Sequence, residues 1–156
     1  MDKLWAPWRV NYVQAKKTKG CVFCKAQRRK DAKPVVFRTL YSVCLLNIFP
    51  YNNGHLMVAP RAHKPQLADL TDPEALDLLR SLDRAKRLLQ KTLKPDGFNI
   101  GINVSRSAGA GITGHLHIHI VPRWQGDTNF MPVLHNTKVI SQSLEQLCRI
   151  LKHADA

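Results

Sequence analysis

Residues 109–124 read G-A-G-I-T-G-H-L-H-I-H-I-V-P-R-W, so that His115, His117 and His119 alternate with apolar residues. Side chains alternate between the two faces of a β-strand, and this spacing therefore predicts three imidazoles on one face and apolar side chains on the other. An imidazole can attack phosphorus through one nitrogen while a hydrogen bond at the other nitrogen fixes its tautomer. A neighbouring imidazole can donate a proton at neutral pH. The stretch thus predicts nucleophilic catalysis from a strand.

The same row of histidines has two other interpretations, a polar strand that faces solvent and a metal centre. His-x-His on a strand is a metal-ligand geometry, but it needs a carboxylate or a further ligand nearby. No Asp or Glu lies between Asp96 and Asp127. A His-plus-carboxylate metal site built from this region alone is therefore disfavoured.

The glycines in front of the histidines admit two compatible interpretations. Residues 109–114 match the G-x-G-x-x-G dinucleotide fingerprint in letters only, because that motif opens a helix and here a strand is expected to follow. We expect a loop whose backbone N–H groups approach and cradle a phosphate. A tight hairpin loop that needs positive φ is the other interpretation, and it is given equal weight.

The rest of the chain contains short strand-like segments and two amphipathic helices. Thr71 and Glu74 have capping-box spacing, and apolar residues then recur every three or four positions until Pro95. Strands joined by short turns, with helices inserted, predict an α+β domain with a mostly antiparallel sheet. We predict five strands over residues 35–39, 41–49, 55–59, 98–104 and 115–122, one long helix from residue 71 or 72, and a C-terminal helix over about 139–151.

Length and composition predict a single globular domain over residues 1–156, with 44% hydrophobic and 22% charged residues. Residues 1–34 form an N-terminal arm and a cysteine-pair segment, expected to be irregular from residue 20, and residues 35–156 form the core. The chain has no run of about 18 apolar residues, and its first residues are charged where a secretory signal is apolar. We therefore expect a cytoplasmic protein with no membrane partner.

The charge balance indicates an anionic partner. Lys and Arg total 24 against 11 Asp and Glu, a formal net charge of +13. Such a surface attracts nucleotides, polyphosphates or nucleic acid. The basic runs at residues 16–19 and 28–30 contain no interleaved aromatic residues, unlike the platforms on which single strands stack. Nucleic acid is therefore a possible partner but not the favoured one, and a simply solvated basic surface is equally compatible.

Four cysteines in such a chain favour reduced thiols or a metal over disulfides. Cys21 and Cys24 have the spacing with which two thiolates bind one zinc ion, but they supply only half of a tetrahedral site. Reduced thiols without metal are the alternative, and a redox role is less favoured because no strand-then-helix context surrounds the pair. Cys44 and Cys148 stand alone in apolar segments and are expected to pack in the core.

The histidine row and several flanking segments resemble a known family. His115-Leu-His117-Ile-His119-Ile-Val is similar to the signature of the histidine-triad superfamily. The opening L-W-A-P-W-R, the cysteine pair and V-P-R-W-Q-G-D-T-N-F at 121–130 resemble the branch that contains diadenosine-polyphosphate phosphorylases and ATP adenylyltransferases. The resemblance spans nearly the whole chain. It implies a five-stranded, mostly antiparallel HIT-like fold that forms a homodimer.

The resemblance also implies a role for individual residues. His117 would attack the α-phosphorus to give an adenylyl-imidazole, and His119 would place or protonate the phosphate oxygens. His55 is similar to an additional active-site histidine, although a histidine that closes a turn is an equal alternative. The other implied contacts are to ribose from Asn47, to the base from Ile48, and to phosphate from Asn103, Gly111, Ile112 and Thr113. 

The family further implies that His63 and His115 complete the zinc site of Cys21 and Cys24. That zinc would be structural, and the covalent chemistry itself requires no metal. The implied function is nucleotidyl transfer or hydrolysis with dinucleoside polyphosphates as substrates and either water or inorganic phosphate as the acceptor. Two alternatives stay open, a nucleoside phosphoramidate hydrolase and a non-enzymatic nucleotide or nucleic-acid binding module.

The chain departs from the branch pattern at three places. Residues 25–33 are strongly basic where many relatives are mixed or acidic, Thr113 stands where the branch often has proline, and His135 stands where a small residue is usual. These differences leave the expected nucleophile unchanged. They leave the preferred substrate open.

Overall fold

A computed structural model describes residues 20–28, 34–127 and 142–155, and His135 lies outside this part. The described chain contains three helices, a short 3-10 turn and five strands. The helices are α1 (Val22–Arg28), α2 (Asp72–Leu93) and α3 (Leu144–Asp155), with the 3-10 turn at Leu67–Asp69; the strands are β1 (Val35–Arg38), β2 (Ser42–Leu46), β3 (Leu56–Pro60), β4 (Gly97–Gly101) and β5 (Ile118–Arg123).

The five strands form one sheet in the order β1-β2-β3-β5-β4, and every neighbouring pair is antiparallel. β5 contains His119, the last histidine of the row, and lies between β3 and β4, where Met57 pairs with His119. This arrangement confirms the predicted α+β class with a five-stranded antiparallel sheet. Within the described residues no helix has the length and apolar character needed to cross a bilayer.

The two faces of the sheet are covered unequally. α2 and α3 pack on one face over the larger core, which includes Leu56, Leu89 and Ile120. The other face holds a smaller cluster in which Phe23 and Ala26 of α1 meet strand residues such as Val43. Alternation along the strands sends neighbouring side chains to opposite clusters. The smaller cluster borders the histidines, because Phe23 contacts the rings of His115 and His117.

The long helix begins as its sequence predicts. Thr71 is the N-cap of α2, and the Thr71 and Glu74 side chains form both bonds of the capping box. Leu78, Leu89 and other residues of the apolar stripe are buried. The helix ends at Leu93, after which Lys94 adopts a left-handed conformation with φ 47°. Cys44 and Cys148 are buried, as expected of packing residues.

Several sequence predictions were wrong in detail. The strands predicted over residues 41–49 and 98–104 end at Leu46 and Gly101. The strand predicted over residues 115–122 begins at Ile118, because the Leu116 N–H bonds the carbonyl of Lys64 at 2.7 Å and not a strand partner. The segment after residue 20, expected to be irregular, contains the seven-residue helix α1. Burial of Phe23 and Ala26, three positions apart, stabilises a helix whose polar composition alone gave no periodic signal. The C-terminal helix, predicted over about 139–151, spans Leu144–Asp155 in the described residues.

Candidate active site

The middle histidine of the row is buried and has a defined tautomer. The Nδ1 atom of His117 lies 2.9 Å from the backbone oxygen of His115. A carbonyl oxygen only accepts hydrogen bonds, so Nδ1 carries the proton and Nε2 has the lone pair. Burial lowers the pKa of His117, so the ring is neutral at pH 7. His117 therefore has the protonation state that a nucleophile needs.

The third histidine is held by a second imidazole behind it. The Tyr51 N–H donates to Nδ1 of His55 at 3.0 Å, so the His55 proton is on Nε2. That nitrogen lies 2.9 Å from Nδ1 of His119 and donates to it, which leaves the His119 proton on Nε2. Burial, and then the nearby His117, lower the pKa of His119 to about 4. At neutral pH His119 is thus a neutral hydrogen-bond donor.

Aromatic rings cover both ends of the row. Phe23 is fully buried, and its ring centroid lies 5.0 Å from those of His115 and His117. Tyr51 lies 4.7 Å from the His55 ring and 5.8 Å from the His119 ring. Neither aromatic residue was singled out in the sequence. The contacts of Phe23 with the histidine rings join residues more than 90 positions apart, so no local sequence pattern indicated them.

The first histidine presents its Nδ1 atom to the cysteine pair. Nε2 of His115 donates to the carbonyl of Pro60 at 2.8 Å, so its Nδ1 has the lone pair. That Nδ1 lies 3.3 Å from Sγ of Cys21, 3.6 Å from Sγ of Cys24 and 3.2 Å from Nδ1 of His63. His63 Nδ1 is also 3.3 Å from Cys24 Sγ. The structure thus brings all four predicted ligands together.

The geometry of this group suits one tetrahedral cation. The four ligand atoms all lie within 4.8 Å of one another. Zinc bonds of about 2.0 Å to nitrogen and 2.3 Å to sulfur place tetrahedral ligands about 3.3–3.8 Å apart. Burial and the adjacent Cys21 raise the pKa of the Cys24 thiol, and a bound cation would favour its thiolate. Two sulfur and two nitrogen donors form a set that zinc commonly occupies.

His117 lines a cleft of about 430 Å³. Its walls come from residues 65–66, from the segment 102–106 after β4 and from the segment 112–117. Of the predicted nucleotide contacts, Asn103, Ile112 and Thr113 line this cleft, whereas Gly111 is an exposed neighbour in the same loop. The sequence interpretation missed Arg106, a permanently cationic side chain in the cleft wall.

The other two predicted nucleotide contacts lie between β2 and β3, away from the lining of this cleft. Asn47 is buried, and its Oδ1 accepts the Phe49 N–H at 2.9 Å while its Nδ2 lies against the His55 ring. Ile48 is 56% exposed. Asn47 therefore fixes the loop that leads to His55, and the predicted ribose contact of Asn47 and base contact of Ile48 stay predictions.

Comparisons with known proteins identify the family to which this chain belongs. The family model described as the HIT domain matches residues 28–126. The chain belongs to the HIT family. It is 37% identical to the AP-4-A phosphorylase of Mycobacterium tuberculosis, an alignment that covers 97% of this chain and 83% of that protein. It is 36% identical to the asymmetrical bis(5'-nucleosyl)-tetraphosphatase of Schizosaccharomyces pombe over 60% of this chain and 50% of that protein.

A solved structure of the family shares the fold. A zinc-bound histidine-triad family protein from Mycobacterium smegmatis superposes with a TM-score of 0.70 at 26% identity. The match covers 87% of this chain and 93% of that one. The predicted superfamily is therefore confirmed by sequence and by fold.

Proposed function

We propose that this HIT-family protein cleaves dinucleoside polyphosphates through a covalent nucleotidyl intermediate on His117. One observation supports this proposal above the others. The His115 carbonyl holds the Nδ1 proton of a buried, neutral imidazole, which leaves the Nε2 lone pair for attack, and the ring lines the cleft. The AP-4-A phosphorylase that the chain resembles suggests the substrate class.

In the first step the Nε2 lone pair attacks the α-phosphorus of the substrate. A P–N bond forms, the P–O bond to the rest of the phosphate chain breaks, and the leaving chain takes the bonding pair. His117 keeps its Nδ1 proton, so the positive charge that develops on the ring is stabilised by the His115 carbonyl. The Nε2–H of His119 donates to a phosphate oxygen, and Asn103 and Thr113 contact the phosphates from the cleft wall.

The hydrogen-bond network favours inorganic phosphate over water as the acceptor. Water must lose a proton when it attacks, whereas a phosphate dianion needs no base. Among the described imidazoles around His117, each unprotonated nitrogen already has a neighbour: that of His119 accepts from His55, that of His55 accepts from Tyr51, and that of His115 faces the cysteines. The product of phosphorolysis is a nucleoside diphosphate.

We also propose that Cys21, Cys24, His63 and His115 hold a structural zinc ion. The zinc would join α1 to the segment before β5 and so fix the position of the His115 backbone. This site lies beside the reacting ring, and zinc takes no part in the displacement.

The edge of the sheet supports a homodimer. Among the described strands, β4 pairs only with β5 and is the last strand in the sheet order, so its outer edge is available for pairing with another strand. Ile100 of this strand is 47% exposed. We infer that β4 pairs with a second copy of the chain. Light scattering on Ile100→Lys tests this: a monomeric variant beside a dimeric parent supports the dimer, and a monomeric parent rules it out.

The function is tested by one assay with two acceptors. Diadenosine tetraphosphate is incubated with and without inorganic phosphate, and the quenched protein is analysed by mass spectrometry. We expect ADP and ATP with phosphate, and an adenylyl group on the peptide that contains His117. AMP released equally fast without phosphate would indicate a hydrolase. Failure to turn over by either route would indicate a binding protein and would reject the proposal.

A further inference from the structure

We propose that the loop after β4 contains a binding site for the acceptor phosphate, with Arg106 as its anion-binding side chain. The proposal rests on the function given above and extends it. The same site would first hold the phosphate of the leaving chain that is bonded to the α-phosphorus. After that chain has left, the site would hold the inorganic phosphate that replaces it. Arg106 would thereby decide how well phosphate competes with water for the intermediate.

The charge of the cleft supports an anionic ligand. Arg106 lines the same cleft as His117, and no carboxylate side chain is among the described residues that line it. The absence of Asp and Glu from residues 97–126 accounts for this over most of the cleft wall. A guanidinium group matches the geometry of phosphate oxygens through two parallel N–H bonds. An anion in this cleft thus meets a cation without an opposing negative charge.

The loop that presents Arg106 has a defined backbone structure. Ser105 has φ 68°, a left-handed conformation that is uncommon and costly for a residue with a side chain. The loop is closed by hydrogen bonds from Ala110 N to the Ser105 carbonyl at 3.2 Å and from Gly109 N to the Arg106 carbonyl at 2.9 Å. Ser105 Oγ lies 3.0 Å from Ser107 Oγ, so a side-chain hydrogen bond joins the two residues that flank Arg106 in the chain.

The stereochemistry of the reaction explains why one site would serve both phosphates. The leaving chain departs from the side of phosphorus opposite to His117, and the acceptor must attack from that side to displace the imidazole in line. In the second step a phosphate oxygen forms a P–O bond to the α-phosphorus, the P–N bond breaks, and its electron pair returns to Nε2. The ring leaves as a neutral imidazole because Nδ1 still has its proton.

The test measures how one intermediate divides between two acceptors. ADP reports attack by phosphate and AMP reports attack by water, so their ratio does not depend on how fast the intermediate forms. We expect Arg106→Gln to raise the phosphate concentration that gives equal ADP and AMP by about tenfold or more. Arg106→Lys keeps the charge and loses the paired donors. The phosphate concentration at which it gives equal ADP and AMP should lie between those of the parent and Arg106→Gln.

A matched control removes a cation elsewhere. Arg80 is exposed on α2, which packs on the other face of the sheet, and Arg80→Gln should leave the product ratio unchanged. A ratio that is equal in Arg106→Gln and the parent overturns this inference, and so does an equal change in Arg80→Gln, which would indicate a general charge effect. Sulfate provides a check on the unaltered protein: it should reduce ADP more than AMP, and equal reduction contradicts the site.

The two proposals fail in different ways. If the unaltered protein forms no adduct on His117, the proposed function fails. The acceptor site then fails with it, because there is no intermediate for phosphate to attack. If the adduct forms and the product ratio is insensitive to Arg106, the proposed function stands and the acceptor site is rejected.

Discussion

The outer histidines of the row, His115 and His119, have the same side chain but opposite environments. His115 donates through Nε2 to a backbone carbonyl and turns its unprotonated Nδ1 to the cysteines. His119 accepts at Nδ1 from His55 and keeps its proton on Nε2. The comparison shows that the partner of one ring nitrogen determines what the other nitrogen can do. One histidine is suited to bind a cation and the other to donate to phosphate.

The largest effect on activity is expected for His117, which lies between these two histidines in the sequence. His117→Asn removes the nucleophile, and we expect kcat to fall by about 10⁴-fold or more, with no adenylyl adduct in quenched samples. His153→Asn is the control, because that histidine is exposed near the end of α3. Activity of His117→Asn within tenfold of the parent would contradict the nucleophile assignment.

The environment of His115 is tested by changing the proposed zinc site, which consists of Cys21, Cys24, His63 and His115. Cys24→Ser removes one of four ligands, and we expect zinc content to fall and Tm to drop by about 10 °C, because a structural zinc site contributes several kcal/mol to folding. A chelator should lower the Tm of the parent by a similar amount.

Cys148→Ser provides the control for the metal group. It changes a thiol outside the group and should retain the response to the chelator. The proposed zinc site is rejected if the parent protein lacks near-stoichiometric zinc and Cys24→Ser is equally stable. His115 would then have no cation-binding role to distinguish it from His119.

The His119 end is tested by removing its hydrogen-bond donor. His55→Leu frees the tautomer of His119, and we expect adduct formation to slow by about tenfold. A His119 with its lone pair on Nε2 can also accept a proton from water, so the AMP share of the products should rise. His55→Gln keeps a side-chain N–H and should restore part of the parent's product ratio. An unchanged ratio in His55→Leu would show that His55 has no influence on the tautomer.

The smallest effect concerns stability against pH. The folded-state pKa of His119 is about 4, below its ordinary value of 6.5. The unfolded chain therefore binds the proton more tightly, so stability is complete above about pH 6.5 and is lost as pH falls towards 4. The free energy of unfolding is measured with urea at pH 7.5 and at pH 5, with equal zinc. Between these pH values the parent should lose about 1 kcal/mol more of this free energy than His119→Asn, after allowance for partial solvent exposure. An equal loss in both proteins contradicts this.

The fold and much of the candidate site could be predicted from local patterns. The alternation of His115, His117 and His119 with apolar residues indicated a cluster of histidines, and Thr71 with Glu74 marked the start of α2. The cysteine spacing indicated half of a metal site. Arg106 and Phe23 were missed because nothing in their immediate sequence shows that one lines the cleft and the other packs against the histidine rings.

The sequence by itself determined the antiparallel α+β class, the row of imidazoles and the cysteine pair, because these depend on periodicity and spacing over a few residues. Only the tertiary structure decided which ring nitrogen of each histidine has the proton. For the two outer histidines those partners are distant in the chain, since His55 and His119 are 64 residues apart and Pro60 and His115 are 55 apart. The partner of His117 is the His115 carbonyl two residues away, and the bend of the backbone before β5 brings it within reach. A hydrogen bond requires two atoms within about 3 Å, and that proximity is set by how strands and loops pack together.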